Sequence, residues 1–330
     1  MILSIIVPSY NHEKFVLSTI GAASRIAIRD KEITVIDDGS TDNSVALIRE
    51  YIAGRGESAN IRLIARENRG LVKTLNEGLA LARGKYLYCV ASDDIPIPDG
   101  VRSLVDHLEK NPSLQFIVGN ALVMESEDQR EFLATYGGAH KRFFALPFEQ
   151  RHKEMFSHYP HIYLQASVFK TAALRAIGGW REDIISDDFS LFLRMLSQLK
   201  DVEKDFAFRP EIMACFYRRH QANVSRNVER QFMTVEQALA ALCPPQWRDA
   251  AYLWNCIGHS MVAIRSGRPS LAAQFFRSTI DRTGLVRLLR SAASELVETL
   301  TKGGERRQSR VAQPPVVRTS APRTYYSLLE

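Results

Sequence analysis

The chain has 330 residues, of which 45% are hydrophobic and 24% are charged, so its composition is that of a globular protein and excludes disorder over most of its length. No stretch approaches the roughly 18–20 consecutive apolar residues of a membrane-spanning helix, and the start lacks the basic and apolar regions of a secretion signal, so we expect a cytoplasmic protein. Lys and Arg number 43 against 37 Asp and Glu, and most of the net charge of +6 lies in residues 302–330. This distribution predicts a basic tail and does not favour binding to nucleic acid.

The first part of the chain alternates between strand-like and helix-like patterns. Short apolar runs of strand length occur at residues 3–7, 32–36, 61–65, 86–90 and 115–118. Helical periodicity lies between them at 44–52, which follows candidate N-caps at 40–42, and at 71–82. This alternation predicts parallel β-α-β units in an α/β protein, with helices on both faces of the sheet and ligands at the carboxyl ends of the strands.

From residue 121 onward, the chain lacks this regular alternation of strand-like and helix-like patterns. Residues 121–160 mix polar and aromatic side chains, which fits either a long substrate-side loop or a helical insertion. Helices are predicted at 171–177 and 187–199, and helical patterns dominate from 231 to about 301. Residues 302–330 are rich in Pro, Ser and Arg without apolar periodicity, so we predict a disordered tail.

Acidic pairs follow two of the predicted strands. Asp37 and Asp38 come after the second strand, and Asp93 and Asp94 come after the fourth. Each pair alone is explained by an ordinary turn or a solvated loop. Because the carboxyl ends of parallel strands meet at one edge of a sheet, the two pairs together predict a single acidic crevice.

The segments SIIVPSYN, ITVIDDGSTDNS, ENRGLVKTLNEGLALARGKYL and ASDD follow one another over residues 3–100 and resemble the inverting glycosyltransferases of family two. Similar segments lie near 165–190 and 217–225. The resemblance implies the GT-A fold, a Rossmann-like, mostly parallel sheet flanked by helices. We therefore expect a GT-A domain at 1–226, followed by a helical region at 227–301 and the basic tail.

Within that domain, the resemblance implies a nucleotide-binding half at 1–120 and an acceptor-binding half at 121–226. It also assigns the residues that bind the nucleotide-sugar. Asp38 pairs with the nucleobase, Asp93 faces the ribose, and the base pocket is lined or approached by Pro8, Tyr10 and Arg69.

A divalent cation is also implied by the resemblance. Asp94 is expected to hold it, and His220 is expected to act as a ligand or donor, while Arg218 gives charge-assisted hydrogen bonds to the diphosphate. A solvated basic loop is the alternative for the segment that contains Arg218 and His220. Oxygen ligands suit Mn²⁺ or Mg²⁺, which neutralise a leaving diphosphate. Family members often carry an acid where Ala91 stands, so we expect coordination by Asp94, phosphates and water.

The segment IGGWREDIISDDFSLFLRM resembles the family's Gly-Gly-aromatic motif followed by an acidic pair that opens a helix. The resemblance assigns Asp188 as the base that deprotonates the acceptor hydroxyl, with Asp187 as a helix cap or acceptor ligand and Trp180 as support on the acceptor side. Two acids that only cap a helix are the alternative. Glu182 and Asp183 are rival bases.

Several other residues are assigned less specific roles. His158 and His161 are candidates for an acceptor pocket, whereas His12 and the other remaining histidines are expected to be ordinary surface or core residues. The cysteines are scattered and form no C-x-x-C pair, so they predict buried thiols and neither a zinc cluster nor a disulfide framework. The four are Cys89, Cys215, Cys243 and Cys256.

The absence of several sequence motifs argues against other classes of enzyme. The chain has no Gly-x-Gly-x-x-Gly strand-to-helix turn and no P-loop, which argues against a nicotinamide dehydrogenase. It also lacks the Gln-x-x-Arg-Trp segment of processive synthases. A nucleotidyltransferase is disfavoured because no glycine-rich phosphate loop follows the first strand.

The resulting hypothesis is an inverting, non-processive, metal-dependent glycosyltransferase that uses a nucleotide-diphospho-sugar, with UDP as the expected nucleotide. By family analogy the acceptor is a saccharide or a lipid-linked saccharide, such as a lipopolysaccharide precursor, in cell-surface polysaccharide synthesis. The basic tail is expected to make a peripheral contact with the inner face of the cell membrane, and a merely solvated tail is the alternative. A catalytically inactive nucleotide-sugar-binding partner is the competing reading, motivated by Ala91 and Asp187.

Overall fold

Apolar runs near the N-terminus form a block of parallel strands. In the computed structural model, which describes residues 1–55, 60–126, 128–220, 223, 227–294 and the backbone of 316–317, the central strand of this block pairs on both sides. It is β1 (Leu3–Ser9), which lies between β2 (Lys31–Asp38) and β4 (Tyr86–Cys89), and β3 (Ile61–Arg66) pairs with β2. All three pairings are parallel, as the alternating pattern predicts.

Helices cover both faces of this block. The connecting helices are α1 (Val16–Ser24), α2 (Ser44–Ala53) and α3 (Leu71–Leu81). Side chains alternate along β1, so that Ile5 belongs to the core cluster that contains Ile48 of α2, whereas Ile6 belongs to the cluster that contains Leu75 of α3. The predicted arrangement of a sheet between two helical layers is therefore confirmed.

The other side of the sheet mixes strand directions. Its strands are β5 (Ile95–Pro96), β6 (Phe116–Met124), β7 (Phe132–Ala134), β8 (Ser167–Lys170) and β9 (Phe206–Arg218). Strand β8 lies between β4 and β6 and is antiparallel to both, so β4 and β6 run in the same direction. All five predicted strands thus share one direction, and β9 pairs with β6 in parallel.

With residues 316–317 as β10, the described part of the chain orders the sheet as β10-β7-β6-β8-β4-β1-β2-β3, and β9 is joined to β6 and β5. Strand β10 (Val316–Val317) pairs with β7 and belongs to the predicted tail. The rest of that tail, and so the prediction of disorder, lies outside the described residues.

The segment 121–160 resolves into an insertion with its own elements. After β6 and β7 come two short helices, α5 (Gly138–Ala145) and α6 (Phe148–Glu154). Of the two expectations for this segment, the helical insertion describes it better. Phe143 and Phe144 of α5 are buried in the main core.

The remaining helices flank the sheet and form the C-terminal region. They are α4 (Pro98–Lys110), α7 (Thr171–Ala176), α8 (Asp188–Gln198), α9 (Val228–Leu242), α10 (Pro245–Arg265) and α11 (Pro269–Thr283), and residues 285–294 are also helical. Helix α9 joins the main core through Leu239, while Phe232 packs with Phe275 in a separate small cluster.

All four cysteines are buried free thiols, as expected. Among the described residues, we find no helix with the length and apolarity needed to cross a bilayer.

Candidate active site

The two acids at the end of β2 have different partners. Asp37 accepts hydrogen bonds from the backbone N–H of Ser40 at 2.8 Å and from its hydroxyl at 2.6 Å, so it shapes the turn that leads to α2. The turn also requires Gly39, which has φ +81° and where a Cβ atom would lie 2.6 Å from the backbone nitrogen of Asn68. The close approach brings the loop after β3 against the end of β2.

Asp38 is bound by that loop. Its carboxylate accepts hydrogen bonds from the backbone N–H groups of Arg69 at 2.8 Å and Gly70 at 2.9 Å, and it pairs with the Arg66 guanidinium. Arg66 is held in turn by Glu77 of α3 at 2.8 Å. The side chain of Arg69 is half exposed beside this buried carboxylate. Asp38 and Arg69 are thus brought together, and their roles at a nucleobase stay predictions.

The end of β1 lies beside the same turn. Asn11, which has φ +55°, accepts a hydrogen bond from the backbone N–H of Thr41 at 2.8 Å and donates its own N–H to the Ser40 hydroxyl at 2.8 Å. The ring of Tyr10 is 48% exposed next to Asn11, and Pro8 is partly buried within β1. Their proposed contact with the base is compatible with this exposure.

Asp94 is a fully buried acid after β4. Its Oδ1 accepts a hydrogen bond from the backbone N–H of Arg218 at 2.9 Å, and its Oδ2 accepts one from the Gln165 side chain at 2.8 Å. Burial, followed by the charge of Asp93, raises the pKa of Asp94 well above its usual range. Helix α1 fixes the loop, because the Thr19 hydroxyl is 2.6 Å from the Asp94 carbonyl oxygen.

Asp93 lies in a small cluster of donor groups. Its Oδ2 is 3.0 Å from Nε2 of His220 and 3.8 Å from Nε2 of His12, and Asn223 lies at 3.4 Å. One donor atom from each of His12, Asp93 and His220 lies within 4.8 Å of the other two. Nδ1 of His12 is 2.7 Å from the Ser92 hydroxyl.

The placement of His12 corrects the expectation that it is an ordinary surface or core residue. Burial, which outweighs the nearby charge of Asp93, lowers the pKa of His12, so its imidazole is neutral at pH 7 and able to act as a ligand. Its position directly after the carboxyl end of β1, on the edge that carries the acidic pairs, is the signal that could have identified it.

Phe15 supports the basic groups beside this cluster. The Arg218 guanidinium lies 4.6 Å from the centre of the Phe15 ring, and the His220 ring lies 4.7 Å from it. Arg218 also donates to the Ser18 hydroxyl at 3.2 Å. Arg218, which is predicted to bind the diphosphate, and His220, which is predicted to act as a ligand or donor, are thus held together, next to Asp93 and Asp94.

The segment 161–165 connects the two acidic ends of the site. Ile162 and Leu164 are buried in the main core, and Tyr163 packs against it. His161 lies 3.0 Å from Asp188, and Gln165 donates to Asp94. Gln165 is identified by this contact with Asp94 and not by a local pattern in the sequence.

Tyr163, between them, stacks on Tyr217 with ring centres 5.0 Å apart, and the His161 ring is 4.9 Å from the Tyr163 ring. Its backbone N–H donates to the hydroxyl of Tyr136 at 2.6 Å. The three partly exposed rings of His161, Tyr163 and Tyr217 therefore form a continuous surface between the acidic ends. His158, the other histidine predicted for an acceptor pocket, lies instead against Trp254 of α10 at 4.4 Å.

Asp187 and Asp188 stand at the N-terminus of α8. The Asp188 Oδ1 accepts a hydrogen bond from the backbone N–H of Phe189 at 2.7 Å, and its Oδ2 faces His161. Burial, followed by the charge of Asp188, raises the pKa of Asp187 to about 7. Although the surrounding atoms lower the pKa of His161, the Asp188 carboxylate outweighs them and raises it. Among the described residues, Asp187 makes no side-chain capping hydrogen bond to α8, and the roles of the pair as cap, ligand or base stay predictions.

The neighbouring acids lie in different surroundings. Asp183 is 62% exposed and paired with Arg181, and Glu182 is exposed. Trp180 is buried, and its backbone N–H and carbonyl both bond to the side chain of Asn76 at 2.8 Å. It therefore supports the loop before Asp187 from within the core.

Known proteins resemble the chain in sequence. The model of the family described as "Glycosyl transferase family 2" matches residues 4–178. A chondroitin synthase of Escherichia coli is 33% identical over 113 residues, which are 34% of this chain and 16% of that protein. A poly-beta-1,6-N-acetyl-D-glucosamine synthase of Staphylococcus epidermidis is 25% identical over 190 residues, 57% of this chain and 44% of that protein. The chain thus spans less than half the length of these relatives.

Solved structures show the same fold. Residues 1–349 of TarS from S. aureus, in complex with UDP-GlcNAc, are 14% identical with a TM-score of 0.56 and 92% coverage of both chains. The mannosyltransferase PcManGT from Pyrobaculum calidifontis, in complex with GDP-Man and Mn²⁺, is 17% identical with a TM-score of 0.55, covering 92% of this chain and 81% of that chain. These likenesses confirm the GT-A fold. Because the family model spans more than half of the chain, the protein belongs to glycosyl transferase family 2 and is a glycosyltransferase.

Proposed function

We propose that the chain is an inverting, non-processive, metal-dependent glycosyltransferase that moves a sugar from a UDP-sugar to a saccharide or lipid-linked saccharide in cell-surface polysaccharide synthesis. The observation that carries the proposal is the segment 161–165, which contacts Asp94 at one end and Asp188 at the other. A donor site and an acceptor site can therefore share one crevice, with the ring surface of His161, Tyr163 and Tyr217 between them.

The donor end is the one with the nucleotide-binding elements. Asp38 is proposed to recognise the edge of the base, with Pro8, Tyr10 and Arg69 around it. Arg218 is proposed to bind the diphosphate, because a guanidinium packed on Phe15 keeps a fixed position and forms charge-assisted hydrogen bonds to phosphate oxygens. Similarity to TarS, which was solved with UDP and with UDP-GlcNAc, supports a uridine donor.

The residues near Asp93 fit a divalent cation. Carboxylate oxygen and imidazole nitrogen are suitable ligands for Mn²⁺, and PcManGT was solved with Mn²⁺. When bound, such a cation neutralises the charge that develops on a leaving diphosphate. Asp94 and His220 are the ligands that the sequence predicts, and the donor groups nearest to each other are His12, Asp93 and His220.

Asp188 is the proposed base. The acceptor oxygen attacks the anomeric carbon from the side opposite the diphosphate, the bond to the diphosphate breaks, and the hydroxyl proton passes to Asp188. A positioned carboxylate contributes about 10²–10⁴-fold to such a step. Asp188 is supported over Glu182 and Asp183 because its side chain is only 15% exposed and contacts His161, whereas the other two acids are exposed.

A peripheral membrane contact belongs to the same proposal. In the helical residues 285–294, the apolar positions are 285, 286, 288, 289, 292 and 293, and the polar positions are 287, 290, 291 and 294. The first set repeats at helical spacing and so lies on one face. Of its large side chains only Leu288 is buried, while Leu285, Val286 and Leu289 are 53–63% exposed. An amphipathic helix with arginines on its polar face is typical of proteins that lie on anionic membranes.

The test of the enzymatic proposal is transfer by the purified chain. UDP-, GDP-, CDP- and dTDP-sugars are offered with saccharide and lipid-linked acceptors, and the anomeric configuration of the product is read by NMR. We expect one donor class to be used with inversion, and Asp188→Asn to lose about 10²–10⁴-fold in kcat. The matched control is Asp183→Asn, which changes an exposed acid of the same loop.

Two outcomes would contradict the proposal. Retention of configuration would exclude the inverting mechanism. Binding of a nucleotide-sugar without turnover by any acceptor would instead support the inactive binding partner.

A further inference from the structure

The hydroxyl of Tyr163 carries an inference about the sugar that is transferred. We propose that this hydroxyl forms a hydrogen bond with a hydroxyl or amide group of the sugar on the nucleotide, and that Tyr163 thereby helps to determine which sugar the chain accepts. The inference deepens the proposed function and rests on it for the presence of a nucleotide-sugar. Its test measures binding, which can be observed with or without transfer.

The first argument is the place of Tyr163 between the two ends of the site. Its ring stacks on that of Tyr217, which directly precedes Arg218, and meets the ring of His161 edge-on. His161 contacts the proposed base, Asp188, and Arg218 is the proposed diphosphate ligand. In an in-line transfer, the anomeric carbon lies between the leaving diphosphate and the attacking oxygen. The transferred sugar is therefore expected beside Tyr163.

The second argument is that the ring of Tyr163 is held in one position. The rings of Tyr217 and Tyr136 lie nearly parallel to it, at interplanar angles of 19° and 22° and with centres 5.0 Å and 6.1 Å away. The Tyr136 hydroxyl also accepts a hydrogen bond from the Tyr163 backbone N–H at 2.6 Å, and Tyr136 itself is buried. A hydroxyl on a ring fixed in this way loses little conformational freedom when it binds a ligand, which favours selective recognition.

The third argument is that the hydroxyl is available to a ligand. The Tyr163 side chain is partly exposed, and within the part of the chain that the structure describes, its hydroxyl has no hydrogen-bond partner and its oxygen is not buried. The neighbouring tyrosines differ in this respect. The Tyr136 hydroxyl is occupied by the backbone, and the hydroxyl oxygen of Tyr159 is buried.

The fourth argument is the chemistry of the hydroxyl. Burial, followed by the nearby Tyr217 and Asp188, raises the pKa of Tyr163 above its usual value of 10. The hydroxyl is therefore protonated at neutral pH and can both donate and accept a hydrogen bond, as the hydroxyl and amide groups of sugars do. The charge of Asp94 also acts on it, which agrees with its place between the two acids.

The experiment compares the binding of free nucleotides and nucleotide-sugars to the full chain by calorimetry in the presence of Mn²⁺. The probes are UDP with UDP-glucose, UDP-galactose and UDP-GlcNAc, and GDP with GDP-Man. We expect Tyr163→Phe to weaken binding of the preferred nucleotide-sugar by about 3–10-fold, the usual contribution of one hydrogen bond. Binding of the free nucleotide should change by less than about twofold, because the bond is made to the sugar.

Analogues of the preferred donor that each lack one polar group of the sugar are the second readout. The analogue without the bonded group should bind to the parent and to Tyr163→Phe equally well, whereas the other analogues should keep the difference. Tyr159→Phe is the matched control, because it removes a buried hydroxyl four residues away, and it should bind like the parent. Circular dichroism checks that each variant is folded.

Equal weakening of the free nucleotide and the nucleotide-sugar in Tyr163→Phe would overturn the inference, as would unchanged binding of both. Unchanged donor binding with a higher KM for the acceptor would show that the hydroxyl binds the acceptor instead. The inference and the proposed function can fail separately. A chain that uses Tyr163 to bind the sugar but transfers none is the inactive binding partner, and transfer with unaltered donor binding in Tyr163→Phe leaves the glycosyltransferase standing. A parent that binds no nucleotide-sugar contradicts both.

Discussion

At the scale of single residues, Asp187 at the start of α8 is the acid whose charge changes near neutral pH. The pKa of Asp187 is raised to about 7 by burial and by Asp188, so near neutral pH a large share of Asp187 is protonated. Asn closely imitates a protonated carboxyl group. We therefore expect Asp187→Asn to keep activity within about threefold, since it removes little charge and no proposed base. The measurement is kcat at pH 7 beside Asp188→Asn, and an equal loss in both variants would place the base function on the pair as a whole.

His161 is expected to make the reaction pH-dependent. Its pKa lies above 6.5 because of Asp188, so the charged hydrogen bond between them persists below that pKa and is lost as pH rises through it. Loss of the imidazolium proton frees Oδ2 of Asp188 to receive the proton of the acceptor. The kcat should therefore rise as pH increases through the pKa of His161, and His161→Gln should remove this rise.

The pH profile is measured in the Asp187→Asn background, because Asp187 titrates in the same range. His158→Gln is the matched control, since His158 lies against Trp254 and not at Asp188. If kcat falls at low pH to the same extent in His161→Gln and in the parent, another group controls the rate.

At the scale of elements, a buried carboxylate joins β1, β2 and the turn after α3. Glu32 accepts hydrogen bonds from the Ser4 hydroxyl at 2.6 Å, the Arg83 backbone N–H at 2.8 Å and the Arg83 side chain at 2.9 Å. Burial alone would raise the pKa of Glu32, but these bonds outweigh it and lower the pKa below 4.5. The stabilisation is therefore fully present above pH 4.5 and is lost as pH falls through the pKa of the folded state.

Glu32→Gln should lower the free energy of unfolding by about 1–3 kcal/mol at neutral pH, because one oxygen acceptor is replaced by a donor facing other donors. The difference from the parent should shrink as pH falls below 4.5 toward the lowered pKa of Glu32, because the stabilisation by the carboxylate is progressively lost there. Urea unfolding at both pH values measures it, with the exposed Glu50→Gln as control. A pH-independent difference would mean that packing, and not charge, accounts for the effect.

Some of the strands could be predicted from the sequence, and others could not. Local patterns predict β1, β2, β3, β4 and β6, because apolar runs bounded by polar turns are properties of neighbouring residues. They do not predict that β8 inserts antiparallel between β4 and β6, since that pairing joins segments far apart in the chain. The acidic pairs at the ends of β2 and β4 follow from the same local patterns, and their roles follow from a family resemblance. His12 has only its position after β1 as a signal, and the contact of Gln165 with Asp94 is a property of the fold.

At the scale of the whole molecule, the C-terminal helices hold the loop that precedes the proposed base. Gln237 of α9 accepts a hydrogen bond from the backbone N–H of Ile185 at 3.0 Å and donates to the Asp183 carbonyl oxygen at 2.7 Å. The helical region is therefore connected to the site through the backbone of residues 183–185. Gln237→Ala should lower kcat by about 3–10-fold with little change in the donor KM, because both of these hydrogen bonds go to the loop before the proposed base. Glu229→Ala, exposed on the same helix, should leave both values unchanged, and an increase confined to the donor KM would refute the connection.

Contact with a membrane also concerns the whole molecule, because the position of the amphipathic helix at residues 285–294 determines which side of the protein faces a lipid-linked acceptor. The exposed Leu285 and Leu289 lie next to Arg287 and Arg290. Insertion of the two leucines into the membrane and attraction of the two arginines to anionic headgroups therefore act together. We expect the chain to bind vesicles that contain anionic lipid, and less at high salt. The double change Leu285→Ser and Leu289→Ser should weaken binding by at least about tenfold, given the roughly 1.5–3 kcal/mol for burying one such side chain.

Co-sedimentation with vesicles measures this partition and separates the helix from the basic tail. Met233→Ser, at an exposed apolar position of α9, is the matched control and should bind like the parent. A chain shortened to residues 1–301 tests the tail: if it still binds while the leucine variant does not, the amphipathic helix provides the contact. If the leucine variant binds as well as the parent, the apolar face of residues 285–294 serves another partner, and the orientation of the site toward the membrane loses its support.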